Sequence, residues 1–150
     1  MEIITKVFNS SGIKLLPIKK VEEISKLVLN DAKSRFDIDK SHIEVNIVYL
    51  SDSEIHKMNR EYLNHDYPTD VITFTIENEG DRLEGEIYIG AETAKRQASE
   101  YNVSTTDELM RLALHGCLHL LRLDDQTKEQ KAKMTKEEDR YLELYKKGDQ

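Results

Sequence analysis

His115 and His119 stand four residues apart and are followed by the aspartate pair Asp124 and Asp125. Four residues of α-helix advance about 400°, which leaves the two rings roughly 40° apart around the axis and about 6 Å apart along it. That spacing lets two imidazoles grip one metal ion. A carboxylate just beyond the helix end, Asp125, supplies a third ligand and leaves a fourth position open, as in catalytic rather than structural zinc sites. Asp124 is the alternative third ligand, or an acceptor that orients a ligand histidine. One histidine on an apolar helix is usually a packing residue with its hydrogen bonds satisfied. Two on the same face would incur the burial cost twice, which favours a shared ion. Gly116 occupies the place where zinc peptidases with a His-Glu-x-x-His motif carry their general base. A peptidase reading therefore lacks its base, and glycine instead lets another segment approach the helix closely.

The elements that position these groups are readable from hydrophobic period. Ile3 to Phe8 reads as a strand followed by an Asn-Ser-Ser-Gly turn. Val21, Ile24, Leu27 and Val28 recur at helical spacing, in a helix that runs from Ile18 to about Phe36. Ile43 to Leu50 alternates as a strand. Ser51-Asp-Ser-Glu has the form of a capping box before a helix with Ile55, Met58 and Tyr62. After a loop from Asn64 to Pro68, Val71–Ile76 and Gly85–Ile89 read as antiparallel strands joined by a turn region over Glu77–Glu84. A helix from Ala91 reaches about Tyr101. Ser104 caps the next helix, which carries both histidines, and a final charged helix starts near Thr127. The pattern is α+β: about four strands in one mixed sheet covered by helices, with the metal site at the end of a central, mostly apolar helix.

A chain of 150 residues is the size of one domain, here residues 1–150. No apolar run has membrane-spanning length, and the N-terminus lacks a signal-peptide pattern, so the expected location is cytoplasmic. A formal net charge of −7 argues against a high-affinity, non-specific nucleic-acid binder but leaves room for a local basic cleft. The single cysteine, Cys117, excludes an intrachain disulfide and points away from the histidine face, as a small buried group.

Three blocks resemble the YbeY family of metal-dependent ribosomal RNA maturation endoribonucleases. His115-Gly-Cys-Leu-His-Leu-Leu-x-x-Asp is similar to the family's His-Gly-x-Leu-His-Leu-x-Gly-Tyr-Asp-His. Met58-Asn-Arg-Glu-Tyr-Leu-Asn-His-Asp-Tyr-Pro-Thr-Asp-Val-Ile-Thr-Phe74 is similar to Leu-Asn-x-x-Tyr-Arg-x-x-Asp-x-Pro-Thr-Asp-Val-Leu-Ser-Phe. Gly85-Glu-Ile-Tyr-Ile89 resembles Gly-Asp-Ile-x-Ile. The resemblance implies a single-strand-specific endoribonuclease in 16S ribosomal RNA 3′-end maturation and ribosome quality control. It implies one Zn²⁺, or another divalent transition metal, held by His115, His119 and Asp125. RNA is the implied substrate, with ribosomal small-subunit proteins or an assembly GTPase as partners and no membrane.

The departures are specific. The family's third histidine falls at Asp125, its glycine at Arg122 and its cleft arginine at Leu63. A carboxylate ligand lowers the charge at the metal and weakens its pull on a phosphate. Arg60, His65 and Arg122 are the candidates for neutralising phosphate charge. Thr69 and Asp70 are candidates for lining the cleft, with turn chemistry after Pro68 as their plainer role. Two other functions fit the same residues: a zinc hydrolase of another substrate, and a ribosome-assembly or RNA-binding factor whose metal is structural.

Overall fold

The computed structural model describes residues 2–63 and 70–148. In chain order the elements are β1 (Glu2–Asn9), α1 (Ile18–Arg35), β2 (His42–Leu50), α2 (Asp52–Leu63), β3 (Val71–Glu79), β4 (Arg82–Gly90), α3 (Ala91–Glu100), α4 (Thr105–Leu120) and α5 (Lys128–Gly148). The four strands form one sheet in the order β1-β2-β4-β3. β1, β2 and β4 run parallel, and β3 lies antiparallel on the outside of β4. The expected α+β class with a mixed four-stranded sheet is the observed one.

Alternation along β2 sends Ile43, Val45, Ile47 and Tyr49 into the main core, where they meet Val21, Ile24 and Val28 of α1 and Leu114, Cys117 and Leu118 of α4. The opposite face of the sheet holds a smaller cluster, in which Leu50 and Ile72 pack with Ile55 of α2. Local signals set the helix starts. Ser51 and Glu54 form both halves of a capping box: the Ser51 hydroxyl accepts from the Glu54 N–H at 3.3 Å, and the Glu54 carboxylate accepts from the Ser51 N–H at 3.2 Å. The Ser104 hydroxyl accepts from the Asp107 N–H at 3.0 Å. Thr127 and Gln130 repeat the reciprocal pattern at the start of α5.

The hairpin runs further than its sequence suggests. The segment expected as a turn over residues 77–84 is mostly strand, and only Gly80 and Asp81 separate β3 from β4. Gly80 takes φ +53°, a left-handed value that favours glycine. The hairpin tip is largely exposed on both faces, so it lacks the alternation that marks a half-buried strand. Backbone pairing carries it instead, and Arg82 holds Glu84 at 2.9 Å and Glu77 at 3.8 Å.

Two glycines set how deeply α4 sits on β4. A Cβ at Gly116 would lie 2.7 Å from Ile87 Cγ2, and one at Gly85 would lie 2.5 Å from Leu120 Cδ2. Each glycine thus receives a large side chain from the other element, in two opposed pairs. The close approach expected at Gly116 is made by β4.

Candidate metal centre

α4 is the most enclosed helix of the fold, yet it presents two imidazoles at its C-terminal end. Its end explains how Asp125 reaches them. The Arg122 N–H donates to the His119 carbonyl at 2.9 Å and the Leu123 N–H donates to the Leu118 carbonyl at 3.0 Å. This pair of bonds is a Schellman closure, and it places Arg122 at φ +76°. The chain reverses there and returns Asp125 to the histidine face.

The three candidate ligands come together. His115 Nε2 and His119 Nε2 are 3.0 Å apart. Asp125 Oδ2 lies 3.4 Å from the first and 3.3 Å from the second. Around a tetrahedral zinc with bonds of about 2.0–2.1 Å, neighbouring ligand atoms are about 3.3–3.4 Å apart. The triangle has metal-site dimensions, and its three residues are half-buried rather than enclosed. Asp124, the alternative ligand, is exposed.

Glu138 of α5 adds a group that sequence reasoning missed. Its Oε2 lies 2.5 Å from His115 Nδ1. A carboxylate accepts only, so Nδ1 carries the hydrogen and Nε2 presents a lone pair to the triangle. Arg111 in turn donates to Glu138 Oε1 at 3.0 Å and to Asp139 at 2.6 Å. Burial opposes the charged form of His115, but the hydrogen bond to Glu138 and the charges of Glu138, Asp125 and Asp70 outweigh it and raise its pKa. The signal for Glu138 was present in the sequence. Glu137 and Glu138 fall on the same stripe of α5 as Met134, Tyr141 and Leu142, where an acid requires a buried partner.

Cys117 faces the core, fully buried, and burial pushes its thiol up to about 12. It is no nucleophile at neutral pH.

A cavity of about 400 Å³ opens over the triangle, bounded by Leu63, Asp70, Thr73, His115, His119 and Asp125. Asp70 is therefore at the site, and its carboxylate accepts from the Gln97 amide at 3.4 Å. Leu63 places an uncharged wall there. Arg60 is exposed near the end of α2 and Arg122 is exposed beyond α4, and neither is among the described residues lining this cavity. His65 and Thr69 lie outside the described residues. A second cavity, of about 560 Å³, adjoins the first and shares Asp70, Val71, His115 and Asp125 with it. A further concavity of about 720 Å³ between β1 and α1, beside Ile3, Lys26 and Asn30, contains none of these groups.

Among known proteins, the family described as Endoribonuclease YbeY matches residues 7–146. An Endoribonuclease YbeY of Chloroherpeton thalassium is 43% identical over 127 residues, covering 85% of each chain. One of Bacteroides thetaiotaomicron is 34% identical over 137 residues, covering 91% of this chain and 96% of the relative. The solution structure of TM1509 from Thermotoga maritima superposes with a TM-score of 0.63 at 23% identity, covering 97% of this chain and 93% of that one, a likeness of fold.

Proposed function

This chain belongs to the YbeY endoribonuclease family, and from that premise we propose that it is a zinc-dependent endoribonuclease acting on single-stranded RNA. Its substrate is ribosomal RNA, in 16S 3′-end maturation and ribosome quality control. Its setting is the cytoplasm, alongside ribosomal small-subunit proteins or an assembly GTPase. No described helix is long and apolar enough to cross a membrane.

The observation that carries the proposal is the triangle of His115 Nε2, His119 Nε2 and Asp125 Oδ2, with edges of 3.0–3.4 Å. These three residues hold the ion. When bound, it supplies Lewis-acid stabilisation of charge on a phosphoryl oxygen. Glu138 fixes the tautomer and direction of His115, and Arg111 fixes Glu138. Asp70 faces the cavity as the acceptor for the proton of the attacking group. Arg60 and Arg122, outside the described wall of the cavity, draw the RNA backbone toward it. His65 is a further candidate for neutralising phosphate charge.

The test is cleavage of a single-stranded RNA before and after thorough chelation, with zinc add-back, for the wild type and His115→Ala. Cleavage should need both the metal and His115. Cleavage that survives chelation and His115→Ala would overturn the proposal. His119→Ala addresses the alternative of a structural metal: it should keep a cooperative melt while losing metal and turnover, whereas a structural role would unfold it.

A further inference from the structure

The cavity of about 560 Å³ beside the metal triangle lies between α3, α4 and α5 and also reaches residues with no role assigned above, Tyr101, Glu108, Lys131 and Thr135. We propose that it is the subsite for the nucleotide next to the cleaved bond, with Lys131 meeting that nucleotide's phosphate and Tyr101 stacking on its base. The assignment rests on the endoribonuclease reading.

Four observations carry it. The cavity shares Asp70, Val71, His115 and Asp125 with the metal cavity, so a ligand there lies against residues of the reacting centre. Its volume falls within the range of about 300–1,000 Å³ typical of small-ligand sites. Its cations divide sharply. Arg111 is already held by Glu138 at 3.0 Å and Asp139 at 2.6 Å, so its charge is spent within the protein. Lys131 is exposed, and its ammonium makes no ion pair with any described residue. Lys131, Met134, Thr135 and Glu138 recur at three- and four-residue spacing, so one face of α5 lines the cavity and carries Lys131 there.

The remaining walls suit a base. Tyr101, at the C-terminal end of α3, is 62% exposed and offers an aromatic face. Gln97 and Glu108 line the interior. Burial raises the Glu108 pKa above the ordinary carboxylate value, against the opposing charge of Arg111. An interior of amide and carboxyl groups offers hydrogen-bond partners to the edge of a base, and the exposed Lys131 ammonium is the group there that suits a phosphate.

The experiment measures kcat/KM for cleavage of one single-stranded RNA by the zinc-loaded protein across a potassium chloride series. Each phosphate contact to a single strand contributes about 0.7 to the slope of log(kcat/KM) against log[salt]. Lys131→Gln should reduce the slope by about 0.7 and Lys131→Arg should restore it. Lys136→Gln, which removes an exposed charge five residues along the same helix, should leave it unchanged. Tyr101→Ala should lower kcat/KM roughly tenfold, and Tyr101→Phe should recover it. A wild-type slope in Lys131→Gln, or full activity in Tyr101→Ala, overturns the subsite and leaves the endoribonuclease reading standing. A wild-type protein that cuts no RNA overturns both.

Discussion

The two ring nitrogens of His115 have separate partners, and that separation suits it to hold a metal ion. Nδ1 is committed to Glu138, while Nε2 faces His119 and Asp125. Glu138→Gln keeps an acceptor but removes the charge and one anchor of Arg111. Zinc affinity, measured by competition with a chromogenic chelator, should fall about 10- to 100-fold. The raised pKa of His115 sets a pH dependence. In the metal-free protein, a raised histidine pKa adds stability that is full below the unfolded value and is lost as pH rises through the folded value. The metal needs the neutral ring, so zinc binding has the opposite trend. The rise in Tm caused by zinc should be small on the acid side of the His115 pKa and grow as pH increases through it. A zinc effect that is flat with pH would remove His115 from the ligand set.

At the scale of elements, the turn after α4 decides where Asp125 arrives. Its left-handed position is held by Arg122 at φ +76°, where a side chain costs about 1–2 kcal/mol relative to the right-handed region. Glycine gives back part of that advantage through unfolded-chain entropy. Arg122→Gly should therefore stabilise the protein by about 0.5–1 kcal/mol, seen as a Tm increase of about 1–4 °C. The ligand spacing and the caps of α2, α4 and α5 were readable because each signal is local, within three or four residues. The tip of the β3–β4 hairpin was not, since Glu77, Asn78 and Glu79 form strand through backbone pairing with β4 rather than through side-chain pattern. The stripe of α5 marks Glu138 as an acid in need of a partner, but which partner was hidden for a related reason. Its partner is 23 residues away, and only packing of α5 on α4 joins them.

For the whole molecule, α5 acts as the strap that unites the site with the first half of the chain. Glu137 receives Arg35 of α1 at 2.6 and 2.8 Å, and the Tyr141 hydroxyl donates to Asp31 at 2.7 Å. The bond from Arg35 holds the Glu137 pKa below its ordinary value against the opposing effect of burial, and the bond from Tyr141 does the same for Asp31. A depressed carboxylate pKa contributes stability that is present above the unfolded value and lost as pH falls through the folded one. Glu137→Gln should thus lower Tm clearly at pH 7, with the gap to wild type closing as acid protonates Glu137. A gap that stays constant down to strongly acid pH would show that the clamp acts through packing alone. The sheet order, by contrast, was legible only as a class. That β4 sits between β2 and β3 follows from long-range pairing that no local period encodes. The opposed pairs Gly116–Ile87 and Gly85–Leu120 tie that sheet to α4 with no free space at either contact. Neither member of a pair can be enlarged alone, which makes each pair a unit of inheritance. Across related sequences, a bulkier residue at 116 should travel with a smaller one at 87, and likewise for 85 and 120. Independent drift at these positions would mean that the helix shifts on the sheet from one lineage to the next.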